Sequence, residues 1–224
     1  MSFPEPQRAA FFVDGFNLYH SLCSAAEVLG DVSVKWLDLG GLFTDHLDLV
    51  GAAARLSVIR YYTAYAEHLG KIAPGKVSRH RAYVRALTAL GVKVELSNFK
   101  RKDAWDTYSG QQFVTHEEKE TDVAIACAVI EGAARNEFDV AVVVSGDTDL
   151  RPLVCAFQRL YSGKRLIFAF PFDRKNRELV RIAPGSFTLS AESYARHQLP
   201  GRVRLPSGKH VYCPEEWVRE TRTT

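Results

Sequence analysis

The sequence predicts an α/β fold: a central, mostly parallel sheet with helices on both faces, in a three-layer αβα arrangement. Three observations predict it. Short apolar, β-branched or aromatic runs alternate with longer stretches of helical spacing, the pattern of right-handed strand–helix–strand crossovers. The chain has 224 residues, 46% of them hydrophobic, which suits one such domain and its core. Two of the apolar runs also stop in aspartate, at the carboxyl ends of strands, where open α/β sheets bind their ligands.

Residues 8–13, with Ala9-Ala10-Phe11-Phe12-Val13, read as a buried first strand halted by Asp14-Gly15. Residues 16–29 have helical spacing, with Phe16, Leu18, Tyr19, Leu22 and Ala26 available for one broad face. Trp36 to Val50 reads as a second helix, and Leu56 to Tyr62 as a second strand. Pro74 can open a helix that runs to Leu90 and is closed by Gly91. Val92 to Leu96 alternates and reads as strand three, whereas residues 97–117 are polar and read as an unusually long functional loop. A helix over 118–135, strand four over 139–144, a helix over 150–162, strand five over 165–170 and a short helix over 174–181 complete the rhythm. Residues 1–190 are thus expected to form one domain and 191–224 a C-terminal extension, where Pro200, Pro206 and Pro214 break the pattern.

Composition excludes several classes. With 29 Lys and Arg against 26 Asp and Glu, the formal charge is +3, too mild to establish nucleic-acid binding alone. Cys23, Cys127, Cys155 and Cys213 are far apart with no C-x-x-C pair, which argues against zinc or a disulfide framework; Cys127 and Cys155 read as small buried hydrophobes. The start of the chain has no basic region followed by an apolar run, and no window has the ~18 apolar residues of a membrane span. A cytoplasmic setting without membrane partners is the expectation. A homo-oligomer is compatible with this reading, and the sequence leaves the oligomeric state open.

The chemistry lies in four acids: Asp14, Asp122, Asp147 and Asp149. Like charges repel, so carboxylates gathered at strand ends require a cation or a proton to hold them. Hard oxygen donors suit Mg²⁺ or Mn²⁺, and three or four carboxylates suffice for one or two ions. That points to a metal-dependent enzyme acting on phosphates, with all four acids as catalytic and metal-binding candidates. Asp147-x-Asp149 offers two acids from one turn, with Gly146 freeing the backbone to make it. Asp122 opens a helix, whose positive end favours the ionised carboxylate. Asn17, Lys119, Ser145 and Thr148 stand close in sequence and are the candidates to hold the phosphate or its waters.

Three segments carry a family resemblance. Val13-Asp14-Gly15-Phe16-Asn17 resembles the V-D-G-x-N opening of NYN domains, within the PIN-like nuclease superfamily. Lys119-Glu120-Thr121-Asp122-Val123 resembles their K-x-x-D-V segment, and Ser145-Gly146-Asp147-Thr148-Asp149-Leu150 their S-G-D-x-D-F segment with Leu for Phe. The match spans residues 8–190 and is similar to the bacterial branch of the family. The resemblance implies a five-stranded parallel sheet in order 3-2-1-4-5, Mg²⁺ or Mn²⁺ in an acidic pocket, and RNA as substrate. One departure stands out. Relatives often carry another Asp about six residues after the central one, where this chain has Ala128, which weakens a second metal position.

The reading is therefore a metal-dependent ribonuclease. Its alternative is a noncatalytic RNA-binding or regulatory module with a degenerate pocket, which Ala128 favours. Lys100-Arg101-Lys102 with Trp105 and Tyr108 mixes cations and rings as single-strand binders do. No G-x-G-x-x-G follows strand one, no P-loop is present, and Asp14-Gly15-Phe16 lacks the second acid of an aspartyl-phosphate phosphatase.

Overall fold

A computed structural model of the chain describes residues 5–69, 72–105 and 112–218; for 69, 98–105 and 112–119 the description covers the backbone alone. In chain order the elements are β1 (Gln7–Asp14), α1 (Gly15–Val28), α2 (Leu39–Thr44), α3 (Leu47–Val50), β2 (Ala54–Ala64), α4 (Pro74–Ala89), β3 (Lys93–Trp105), β4 (Gln112–Lys119) and α5 (Thr121–Ala134). There follow β5 (Val140–Val144), α6 (Arg151–Leu160), β6 (Arg165–Phe170), α7 (Arg177–Ile182), β7 (Ser186–Thr188), α8 (Ala191–Arg196), β8 (Arg202–Arg204) and β9 (His210–Tyr212).

Successive strand residues point to opposite faces, and this sorts the apolar runs into two cores. Ala9, Phe11 and Val13 of β1, with Val140, Val142 and Val144 of β5, meet Leu18 and Leu22 of α1, Leu42 and Phe43 of α2, and Tyr83 and Leu87 of α4. Ala10 and Phe12, with Ala141 and Val143, meet Ile125 and Val129 of α5 and Leu153, Val154 and Phe157 of α6. Because both faces are covered, β5 and residues 9–13 of β1 are apolar throughout rather than alternating. The helical period explains α5: its buried line is Ile125, Val129 and Ala133, so Cys127 falls on the exposed side, and Cys155 is only half-buried. The sequence expectation of two buried thiols is corrected accordingly.

The large sheet has the order β4-β3-β2-β1-β5-β6-β7. The expected 3-2-1-4-5 arrangement is its centre, β3-β2-β1-β5-β6, and those pairings are all parallel. β7 extends one edge in parallel with β6. The other edge departs from expectation. The polar stretch read as a loop is a hairpin: β3 continues to Trp105 and β4 returns antiparallel to it, from Trp105↔Gln112 to Asn98↔Lys119. An edge hairpin is held by backbone hydrogen bonds and does not require apolar alternation, so its sequence does not announce it.

Trp36 to Val50 is likewise not one helix. Asp38 accepts a hydrogen bond from the Gly41 N–H and caps α2, which ends at Thr44 before the separate turn of α3. Gly40 and Gly41, poor helix formers, occupy the first turn of α2 after Leu39. Beyond residue 190, Tyr194, Leu199, Val203 and Val211 enter the first core, and Trp36 donates its indole N–H to the Pro200 carbonyl.

Candidate active site

β1 and β5 lie side by side with Val13 opposite Val144, so the next residues, Asp14 and Ser145, emerge together at the carboxyl edge of the sheet. The Ser145 hydroxyl donates to Asp14 Oδ2 at 2.9 Å and accepts from the Asp147 N–H at 3.1 Å. The Asn17 N–H donates to Asp14 Oδ1 at 2.9 Å, and Asn17 Oδ1 accepts from the Gly146 N–H at 3.0 Å. Asp147 Oδ1 accepts from the Asp149 N–H at 3.0 Å and caps the 3-10 turn Thr148–Leu150. Asp14 and Asp147 are thus helix caps, as any strand-ending Asp can be, yet they cap at one place.

Gly146 is required for a reason other than the one read from sequence. Its φ is not positive; instead a Cβ there would lie 1.9 Å from the Arg174 carbonyl oxygen. The loop after β6 packs against this turn too closely for any side chain.

Asp14, Asn17, Asp122, Asp147 and Asp149 line a single cavity of about 420 Å³, together with Phe16, His20, Glu120, Thr121 and Val123. Among the described residues, no Lys or Arg lines it. Burial pushes the Asp14 carboxyl upward, opposed by the hydrogen bonds from Asn17 and Ser145 and reinforced by the Asp147 charge. Asp122 is pushed up to about 6, first by burial and then by the charges of Asp147, Asp14 and Asp149. The helix end was expected to favour its ionised form; burial and three neighbouring acids outweigh that dipole.

The other candidates are distributed less evenly. Ser145 is fully buried beneath the cavity and positions Asp14 rather than facing a ligand. Thr148 is exposed and does not line the cavity. Ala128 is half-buried on α5 and does not line it either. The Lys119 side chain lies outside the described residues, as do those of Lys100, Arg101, Lys102, Trp105 and Tyr108; its backbone ends β4, one residue before the cavity-lining Glu120. Sequence reasoning missed Glu120 and His20. Glu120 holds a left-handed backbone, with φ of +80°, at the start of α5. Such strain costs of order 1 kcal/mol in a non-glycine residue and recurs at functional sites. His20 reaches the cavity beside Phe16, which stands one helical turn earlier on α1.

Among the described residues no three His, Cys, Asp or Glu side chains are drawn together tightly enough to enclose a metal ion. The donor set nevertheless fits Mg²⁺ or Mn²⁺. Mg²⁺ keeps several waters and takes only one or two carboxylates directly, so a wide cup of acids with room for water matches its demands. Carboxylates that raise one another's affinity for protons, with no basic side chain lining the cavity among the described residues, are also the electrostatic complement of a cation.

Comparison with known proteins adds three findings. The family model described as NYN domain matches residues 8–190. The 6-hydroxy-3-succinoylpyridine 3-monooxygenase HspA of Pseudomonas putida (strain DSM 28022 / S16) is 27% identical over 248 aligned residues, covering 95% of this chain and 76% of the relative. A protein of unknown function, VPA0982, from Vibrio parahaemolyticus RIMD 2210633 has a crystal structure similar to this one, with a TM-score of 0.54 and 19% identity. That likeness covers 85% of this chain and 97% of the other, and it concerns the fold alone.

Proposed function

This chain belongs to the NYN domain family, and from that premise we propose that it is a metal-dependent ribonuclease hydrolysing RNA phosphodiester bonds at the acidic cavity. One observation carries the reading: Asp14, Asp122, Asp147 and Asp149, from three separate elements, converge on one cavity that no basic side chain lines among the described residues. Asp14 and Asp147 would hold a Mg²⁺ or Mn²⁺ ion, with Asp122 and Asp149 completing the negative cup. Bound there, the ion would offset phosphate charge and lower the pKa of an attacking water. With Ala128 in place of a further acid, one ion is the simpler count.

The protein's own groups have distinct tasks. Ser145 and the Asn17 N–H fix both oxygens of Asp14, and a backbone hydrogen bond from Phe16 adds to them. Asn17 spends its carbonyl on Gly146 and keeps its amide nitrogen for a phosphate oxygen. Lys119 and Thr148 would meet phosphates at the rim. Cytoplasmic RNA is the expected partner, and among the described residues no helix is long and apolar enough to cross a membrane.

The test is incubation of the full-length protein with RNA and DNA strands in Mg²⁺, Mn²⁺ or chelator, beside Asp14→Asn and Asp147→Asn. RNA cleavage that needs metal and disappears in both variants, at retained melting temperature, is expected. Wild-type rates in both variants would refute the assignment. RNA held equally well in chelator and left uncut would move the protein to the noncatalytic alternative.

A second reading is favoured by the alignment with HspA along 95% of this chain. In it, a planar pyridine ring enters the same cavity and is oxygenated. A monooxygenase consumes O₂ and a two-electron donor, so substrate-dependent O₂ uptake with a reduced nicotinamide, in the absence of RNA cleavage, would select this reading.

A further inference from the structure

Two backbone segments meet behind the acidic cavity. The turn Ser145-Gly146-Asp147 presents one of its acids, and the loop after β6 packs on that turn, with the Arg174 carbonyl too close to Gly146 for a Cβ. The loop is itself a tight turn. The Arg174 N–H donates to the Pro171 carbonyl at 3.0 Å, and Asp173 between them has a φ of +60°. Left-handed backbone outside glycine persists where the surrounding structure holds it.

Here two helices hold it. The Ser21 hydroxyl of α1 donates to the Phe172 carbonyl at 2.7 Å, and the Phe172 N–H donates to the Tyr194 hydroxyl of α8 at 3.0 Å. The two hydroxyl oxygens are also 3.0 Å apart. A carbonyl only accepts, so the Ser21 proton points to Phe172, and the phenol must then donate to Ser21. Burial pushes the Tyr194 phenol up to about 12, so this proton stays in place. Both backbone groups of Phe172 are thereby taken, and Ser21 and Tyr194 are fully buried. Ser21 stands one helical turn after Asn17, whose side-chain oxygen accepts from the Gly146 N–H. α1 thus holds the turn at one step and the loop at the next, and α8 closes the clamp.

We propose that Tyr194 is a positioning residue of the catalytic centre: it fixes Phe172 and, through the Arg174 carbonyl, sets the turn that aims Asp147. This rests on the nuclease reading and goes beyond it, because residue 194 lies past residue 190, where the family match ends. The segment expected to be an extension is a wall of the site. A shift of the turn disturbs two acids at once, since Ser145 accepts from the Asp147 N–H while donating to Asp14.

The experiment compares full-length Tyr194→Phe with Tyr83→Phe. Each loses a buried phenolic hydroxyl, but that of Tyr83 donates to the Leu37 carbonyl, which belongs to neither the loop nor the turn. Both variants should melt a few degrees below wild type. In ¹H–¹⁵N spectra of the metal-free protein, only Tyr194→Phe should move the Gly146 and Asp147 amides. Its Mn²⁺ affinity by calorimetry should fall roughly tenfold. Its kcat for RNA cleavage, measured well below its melting temperature, should fall about ten- to a hundredfold with KM near wild type. Ser21→Ala opens the other side of the clamp and should do the same, and the double variant should lose little more than either alone. Gly146 and Asp147 amides that stay in place in Tyr194→Phe overturn the clamp, as does wild-type Mn²⁺ affinity. An equal loss of Mn²⁺ affinity in Tyr83→Phe overturns it too, since the loss then follows stability alone. RNA cleavage at the wild-type rate by Tyr194→Phe removes the clamp and leaves the nuclease reading. Shifted amides and weakened Mn²⁺ binding in a protein that cuts no RNA do the reverse.

Discussion

Asp122 has the most informative titration in the cavity. Its folded carboxyl is raised from 3.8 to about 6, so the folded state prefers the protonated acid. That preference stabilises the metal-free protein fully below the unfolded pKa and is lost as pH rises to about 6. The acid is partly solvated, so the effect is on the order of 1 kcal/mol after screening. Asp122→Asn should therefore raise the metal-free melting temperature at neutral pH by roughly 2–4 °C, measured by calorimetry in chelator. Ser145 has the opposite character: buried, donating to Asp14 and accepting from the Asp147 N–H. Ser145→Ala leaves the buried Asp14 oxygen and the half-buried Asp147 N–H without this partner and should cost about 1–3 kcal/mol in denaturant unfolding, together with a loss of the proposed activity. At this scale the four acids were legible because three of them end or follow strands in short motifs and the fourth opens a helix. Glu120 and His20 were not, because their place at the cavity follows from how α5 and α1 meet the sheet. Gly146 was legible as a necessary glycine but not for its reason, which is a carbonyl from residue 174.

Elements carry the next set of consequences. α4 buries His80 against β2, where its Nε2 lies 3.2 Å from Thr63 Oγ1 and its ring meets Tyr65 edge-on. Burial lowers this imidazole from 6.5 to about 4, so the unfolded chain binds its proton more readily. Stability is then present above about 6.5 and lost as pH falls toward 4, by up to about 3 kcal/mol. Over pH 4–6 this opposes the Asp122 effect in sign. His80→Gln should flatten the acid limb of the metal-free stability curve, and Asp122→Asn should steepen it. The turn after β5 is equally specific: Gly146→Ala drives a methyl into the Arg174 carbonyl and should lower stability by about 1–3 kcal/mol in thermal unfolding. The strands and long helices were readable from apolar period and from their caps, as with Pro74 and Gly91 on α4. The β3–β4 hairpin was not, because a polar edge pair is specified by backbone pairing that composition does not encode.

At the scale of the molecule, a net charge of +3 coexists with an acidic cavity where the proposed function puts the phosphate. An unneutralised cup repels RNA, so chelation should weaken RNA affinity, and by more at low ionic strength, where the repulsion is least screened. Filter binding across a salt series, with and without Mn²⁺, measures this; affinity unchanged by chelation at every salt concentration would contradict it. The overall architecture was visible in the sequence because both faces of the central sheet are covered, which makes β5 and residues 9–13 of β1 apolar without a break.

That double covering has an arithmetic consequence. β1 alternates between two cores and then delivers Asp14 beside Ser145, so a strand length is correct only modulo two. Deleting one residue within β1 would exchange the tenants of the upper and lower layers and swing the first acid to the wrong side of the rim. Deleting two would shorten the ladder while preserving its parity.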